Sequence, residues 1–478
     1  MKNATISLLL AVLTFASYAQ DSLHTFKIKD YSLRDYVAPD IKFQRLEVTT
    51  DMNGSGNQRG AFKSNRFSGN GGLGYSNYIN LLKFQGRSNA GLWVNTDFNK
   101  TIRDTVIETK NVSTLATLYY QSENRWYNSN DIFSGVHPSI NYSIQDGNMS
   151  NTRGTVTNTS LSQGHDVDMS VFLTIGRGRI QPVTAARQAM DILISLEKYN
   201  RLAKSPSALE VDSLAKIANR VIFKRFYDKR FKRIYQLEAL DKGIQEMGLV
   251  SNTDMVYAAN LSDVWGYGRL YSRGSGSRLE TGLIPVFGYN YTRTMNPNSD
   301  NVDEGNYYGG YGFVSWLKQV PLSYAWQSNF AVDLSAGIRV NNGNYLIIST
   351  QRDTVKMVSQ MLNVSYELGY YPNTRTEITV RPFVGLSANQ TDLKVDKFDF
   401  FGLSSGVNLK AYYYVSPRFR LGLTGGATFI SDEYLNQSPF PSRVLTSNGN
   451  NSAIRAENNT GKNIFQYNYR LKISYAIF

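Results

Sequence analysis

Residues 465–478 read FQYNYRLKISYAIF. Phe465, Tyr467, Tyr469, Leu471, Ile473, Tyr475 and Ile477 fall on one phase, and Gln466, Asn468, Arg470, Lys472 and Ser474 on the other. A period of two sends successive side chains to opposite faces, which a strand uses and a helix does not. One face is broad and apolar; the other carries two cations. The run is about twice the usual strand length of a soluble sandwich.

The alternation recurs upstream. Phe401, Leu403, Val407, Leu409, Ala411 and Tyr413 oppose Ser404, Asn408 and Lys410. Phe419, Leu421, Leu423, Ala427 and Phe429 oppose Arg418, Arg420, Thr424 and Thr428. Ile378, Val380, Val384 and Leu386 oppose Glu377, Thr379 and Arg381, and Val167, Met169, Val171, Leu173 and Ile175 oppose Asp166, Asp168 and Ser170. Repeated segments of about ten residues with this dyad mark an all-β transmembrane antiparallel β-barrel. They give about 14 strands, within a range of about 12–16. The expected spans are 41–52, 69–82, 89–100, 112–123, 137–146, 166–178, 281–294, 305–318, 327–340, 357–370, 375–389, 399–413, 418–431 and 465–478. Links at Gln85–Ser88, Pro372–Thr374 and Val415–Pro417 read as tight turns, and the one at Asn128–Ser134 is longer. Links after strands 1, 3, 5, 7, 9, 11 and 13 read as long and polar, such as Asn296–Gly305, Asn341–Thr354 and Asp432–Asn463. Alternating short and long connections suit periplasmic turns and outer loops.

The other end of the chain agrees. Lys2, the apolar run Ile6–Ala16 and the small residues Ser17 and Ala19 read as a signal peptide over 1–19. The competing reading is a short buried helix. Residues 20–40 then form an N-terminal periplasmic tail, which a barrel rarely orders. The 478 residues hold no Cys, which excludes a disulfide framework, a thiolate metal site and a Cys nucleophile. Aromatic residues reach 13% and the formal net charge is +13.

On these residues the chain resembles a Gram-negative outer-membrane β-barrel protein of the type with a helical periplasmic insertion. The run ending in Tyr475, Ile477 and Phe478 resembles the signal read by the barrel-assembly machinery, an implied partner during biogenesis. Phe478 departs from that pattern by lying out of phase with Ile477. The resemblance implies a location in the cell outer membrane, in contact with its lipid. It covers the barrel halves 41–180 and 281–478 and implies no activity.

Residues 181–280, between strands 6 and 7, change period and form a helical insertion of about 85–100 residues. Ala189, Ile192, Leu193 and Leu196 recur at helical spacing. Ser207 and Glu210 form a capping box ahead of Leu214, Ile217 and Val221. Phe231, Ile234, Leu237, Leu240, Ile244 and Met247 make a third stripe stopped by Gly248, and a fourth helix runs over 253–265. Following an even strand, the insertion belongs to the periplasmic side, either hanging below the rim or entering the lumen as a plug. Its own caps and stripes favour the first. Lys224, Arg225, Lys229, Arg230, Lys232 and Arg233 form a basic cluster. Asp228, Glu238 and Asp241 partly neutralise it, as in a solvated face; its sharper use is docking an acidic periplasmic partner or the cell wall. Export excludes nucleic acid.

The phase opposite the apolar one faces inward. The expected pore-lining cations are Arg381, Lys410, Arg418, Arg420, Arg470 and Lys472; the acids are Asp97, Asp168, Asp333 and Glu367, with Arg339 among them. Strand 14 is expected to close against strand 1, so the cations occupy one arc of the wall and most acids another. The other outcome is that they pair across the wall. Of the three His, only His165, beside Asp166 and Asp168, suggests a catalytic arrangement, and an ordinary loop residue is the simpler reading. No catalytic residue, metal site or cofactor is expected. Three functions remain open: a passive or weakly selective channel for small polar or anionic solutes, a non-conducting scaffold subunit of a larger outer-membrane protein complex, and, last, an outer-membrane hydrolase.

Overall fold

The computed structural model describes residues 31–59, 61–103, 107–128, 131–223, 229–267, 273–343, 354–392, 397–416, 419–431 and 464–475. The strands are β1 (Ile41–Arg59), β2 (Phe62–Leu81), β3 (Phe84–Arg103), β4 (Ile107–Tyr127), β5 (Ile132–Arg153), β6 (Val156–Pro182), β7 (Gly274–Asn296), β8 (Ser299–Pro321), β9 (Trp326–Gly343), β10 (Val355–Asn373), β11 (Thr376–Asp392), β12 (Lys397–Tyr414), β13 (Phe419–Ser431) and β14 (Ile464–Tyr475). They form one antiparallel 14-stranded sheet in chain order. Between β6 and β7 lie α1 (Thr184–Lys198), α2 (Ala208–Phe223), α3 (Lys229–Glu246) and α4 (Met255–Tyr267).

The period of two is visible along each central strand. In β7, Leu279, Leu283 and Phe287 are exposed while Glu280, Ile284 and Val286 are buried. Cross-strand partners share a face, so the exposed Leu279 opposite the exposed Trp316, and Trp316 opposite the half-buried Val332, carry the apolar row onward. The other face is concave. Arg125 on β4 reaches Glu280 on β7 at 3.0 Å, and the Arg179 guanidinium on β6 donates to the carbonyl of Leu82, beyond β2, at 2.7 Å. Strands three apart in a flat sheet stand about 14 Å apart, so the sheet must curl to bring these groups together.

The strands outrun their expected ends. The links after β1, β3, β5 and β7 span only residues 60–61, 104–106, 154–155 and 297–298 rather than long loops. Polar residues carry the ladders on past the apolar band. Thr152 lies opposite Thr157 with their Oγ1 atoms 3.0 Å apart. Strand pairing needs only backbone groups, so a polar tip remains strand where an apolar reading stops. Most of the links 341–354 and 432–463 lies outside the described residues. So do Lys224, Arg225, Arg418, Ile477, Phe478, His24 and the signal segment, as well as the side chains of Lys229, Lys472 and Tyr475. Among the described residues no ladder joins β14 to β1, so the expected closure is not drawn by this sheet.

The helices enclose a dry core of Ile192, Leu193, Leu196, Leu214, Leu240, Ile244 and Trp265. The capping box is present: the Ser207 amide donates to Glu210 Oε2 at 2.7 Å, and the Glu210 amide to Ser207 Oγ at 3.3 Å. Gly248, at φ +62°, ends the third stripe in the left-handed region. That stripe is only half used: Leu240 and Ile244 are buried, but Phe231 and Ile234 are exposed. The tail is not loose from residue 31 on, because Leu33 and Tyr36 pack into the helical core.

Candidate functional site

The helical domain meets the sheet at the end carrying the short turns. Arg187 on α1 ties that end together. Its guanidinium pairs with Asp191 at 3.0 Å and donates to the carbonyls of Tyr324 (2.5 Å) and Tyr371 (3.0 Å), in the β8–β9 link and at the end of β10. Burial works against its charge, but Asp191 more than offsets this and holds the pKa above the usual arginine value. Arg273, just before β7, donates to the carbonyls of Ser323, Tyr324 and Trp326 and to Gln327. Burial lowers its pKa to about 10, which leaves it charged at neutral pH. Asp263 on α4 pairs with Arg375 at 2.9 Å, and Arg34 donates to the Pro321 carbonyl at 3.0 Å. Carbonyls at turn ends have spare lone pairs, and planar guanidinium groups gather several at once. The basic cluster is less free than its sequence implies. Arg233 donates to the carbonyl and hydroxyl of Ser262, and burial lowers its pKa. Arg230 is exposed and Lys232 partly so.

Above this rim the concave face carries a buried ionic cluster. Glu280 accepts from Arg125 and from His137 Nε2 at 2.6 Å, and lies 3.4 Å from Arg278. Arg125 also pairs with Glu123 at 3.2 Å. His137 Nδ1 accepts the Asn124 amide at 3.1 Å, so the ring proton sits on Nε2 and points at Glu280. A neutral imidazole satisfies both neighbours. Sequence reasoning missed this cluster because Arg125, Arg278 and Glu280 lie beyond the expected ends of strands 4 and 7. Its signal was the alternation of Arg278 and Glu280 with Leu279 and Thr281.

Further along the same face, Phe172, Ile284, Val286, Tyr307, Tyr311 and Phe313 form an apolar patch. The Tyr307 hydroxyl donates to Asp168 at 2.7 Å, and the Arg339 guanidinium lies 4.9 Å from the Tyr307 ring centre. Gly288 makes room: a Cβ there would stand 2.0 Å from the Tyr307 ring. The remaining expected inward residues are spread along β3 and β9–β14. Arg381 donates to Ser365 Oγ (3.1 Å), Lys410 pairs with Glu377 (3.0 Å), and Arg420 donates to the Tyr414 hydroxyl (3.2 Å) with its guanidinium 4.5 Å from the Tyr412 ring centre. Thr424 lies opposite Arg470, and Gly422 opposite Lys472, which puts both cations in register with that face. Asp333 accepts from Ser315 (2.6 Å), Glu367 from Asn329 (2.8 Å), and Asp97 pairs with the exposed Arg66 (3.2 Å). The two-arc separation is therefore mixed: Glu377 joins the cations, while Arg125 and Arg278 join the acids.

The one catalytic candidate is split across the sheet. Ile144 lies opposite His165, and His165 opposite Tyr291. The period of two therefore puts His165 on the outer face while Asp166 and Asp168 share the inner one.

No family model matches the sequence, and no curated protein matches it. Among solved structures, the translocator domain of the autotransporter NalP from Neisseria meningitidis is 9% identical, with a TM-score of 0.26, covering 82% of this chain and 96% of that one. The ferric yersiniabactin uptake receptor FyuA from Yersinia pestis is 7% identical, with a TM-score of 0.36, covering 83% and 50%. The β domain of the Bordetella autotransporter BrkA is 8% identical, with a TM-score of 0.23, covering 71% and 91%. Likenesses this distant carry no conclusion about activity or partners, which rest on the residues above.

Proposed function

We propose that the chain is an exported outer-membrane barrel, closed between β14 and β1, that passes small polar solutes with a bias towards anions. The location is supported by the exposed apolar face, which runs from Leu92 and Val94 through Leu173 and Leu283 to Leu334 and Val384. A surface of that extent calls for a cover, and a bilayer supplies one. Closure is supported by the cost of leaving edge N–H and C=O groups bare in hydrocarbon. The observation that carries the anion bias is the inward wall of β11–β14. Arg381 and Arg420 bond there to neutral hydroxyls, and Arg470 has no carboxylate partner among the described residues. Positive charge on one side of a narrow lumen concentrates anions and repels cations.

One observation favours the second reading, a non-conducting accessory subunit of a larger assembly. The helical domain is pinned to several short turns by Arg187, Arg273 and Asp263, which suits a rigid docking platform. Planar-bilayer recording separates the two. The channel reading expects steady conductance with anion preference, reduced or reversed in the double variant Arg381→Glu, Arg420→Glu. A folded, inserted protein that stays silent would overturn it and favour the platform.

A further inference from the structure

The outer face has a groove of about 410 Å³ between β8, β9 and β10, lined by Trp316, Lys318, Val320, Ser328, Phe330 and Tyr366. Lys318 lies opposite Phe330, and Phe330 opposite Tyr366, so a cation and two rings form one row across three strands. Trp316 meets Phe330 edge-on at 5.4 Å, and its Nε1 donates to Ser277 Oγ at 2.9 Å. That bond fixes the indole on the outer side of β7 and leaves its apolar edge in the groove. Lys318 stands three positions before Pro321, where β8 ends at the short-turn rim.

A second cation faces the same way. Arg177 on β6 lies opposite Ile132 on one side and Leu279 on the other, both exposed outer-face residues. Gly178 then takes φ +91°, and this kink separates Arg177 from Arg179, whose guanidinium lies 4.8 Å from the centre of the buried Tyr127 ring. Strands β6 and β8 are two apart, or about 10 Å, and Lys318 stands two residues, about 7 Å, along β8 from Trp316, the residue in register with Arg177; two long side chains and one lipid headgroup span that gap. Neither Arg177 nor Lys318 has an ion-pair or side-chain hydrogen-bond partner among the described residues. Cations on an apolar surface near a membrane boundary keep their charge by reaching an anion or water, and aromatic rings beside them suit the same depth.

We propose that this groove binds an anionic phospholipid, with the phosphate between Arg177 and Lys318 and an acyl chain along Trp316, Phe330 and Tyr366. The proposal rests on the reading of the outer face as lipid-covered. A phospholipid, rather than a free phosphate, fits because Lys318 lines an apolar groove continuous with the rest of that face, and Arg177 faces the same surface two strands away, beyond Leu279.

The test uses the full chain in nanodiscs of phosphatidylcholine with a minor fraction of phosphatidylglycerol, followed by native mass spectrometry of the lipid retained on release. The wild type should keep phosphatidylglycerol in preference. Lys318→Gln and Arg177→Gln should each lower that preference about fivefold, as expected of one charge near a membrane surface. Lys356→Gln, which removes an outer-face cation at the opposite end of β10, should leave it unchanged. Trp316→Ala should weaken retention of both lipids, and millimolar inorganic phosphate should not displace the bound lipid. Equal retention of the two lipids by the wild type, an unchanged preference in the double Gln variant, or full displacement by phosphate would overturn the site while leaving the inserted barrel in place. A chain that never enters the nanodisc would overturn the lipid-covered face as well.

Discussion

In the helical domain Ile192, Leu193, Leu214 and Ile244 are fully buried, while Arg230 and Lys242 stand at the surface. In the sheet Leu283 is 63% exposed while its neighbour Ile284 is 1% exposed, and Arg125, Glu280 and Arg339 are buried. The first arrangement is what water imposes on a small fold. The second puts leucines outside and ion pairs inside, which water alone would not select. On the proposed membrane reading one chain is patterned for two solvents, with the boundary at the short-turn rim where Arg187 and Arg273 gather the turn carbonyls.

The largest effect that would break this contrast is in the sheet. Glu280→Gln removes the carboxylate from the ionic cluster and leaves Arg125 and Arg278 buried without it. Losing one partner of a buried pair costs about 3–5 kcal/mol, so the denaturation midpoint of the sheet in detergent should fall steeply. No change would mean that water already reaches the cluster. In the helical domain Leu193→Ala should cost about 3 kcal/mol. Far-UV helical signal should melt earlier while the sheet stays folded, since the contacts described between the two regions lie at the short turns, the strand ends beside them and the first strand. Joint melting would show the two to be one cooperative unit.

A smaller effect separates the regions by pH. Asp254 accepts from Arg201 at 2.6 Å and from the Tyr257 amide at 3.0 Å, and the Arg201 hydrogen bonds chiefly hold its pKa below the usual value. Glu210 is lowered likewise, first by Lys204 and then by the Ser207 amide. A depressed carboxylate contributes stability that is present above its unfolded pKa of about 4 and is lost as pH falls through the lower folded value. The helical domain should therefore keep its stability from pH 8 to about 5 and lose it below about 4. Asp254→Asn should flatten part of that decline, followed by Trp265 fluorescence. A loss centred near pH 6 would contradict this assignment.

Much of the sheet was legible in the sequence, because β14, β12 and β6 carry an apolar face that only a strand can present. The insertion was legible for the converse reason, a change of period marked by the Ser207–Glu210 box. The strand tips were not, since the polar runs in 147–162 and 296–305 pair through backbone groups that composition does not reveal. The ionic cluster was hidden with them: Arg278 and Glu280 fall within 181–280, the span that reads as the helical insertion. Phe231 and Ile234 misled in the other direction, because a helical stripe indicates a face without indicating how much of it finds a partner. His165 and Asp166 are neighbours in sequence, and that adjacency is what puts them on opposite sides of a strand.

The central claim concerns which side of each strand meets lipid, and the chain has no Cys, so single cysteines report cleanly. Val407 and Asn408 are adjacent on β12; Val407 is on the exposed apolar face, and Asn408 is in register with Arg381. Spin labels at Val407→Cys and Asn408→Cys in reconstituted bilayers should respond oppositely, the first to oxygen dissolved in lipid and the second to a water-soluble nickel chelate. Equal access of the chelate to both positions would show that no bilayer covers the outer face.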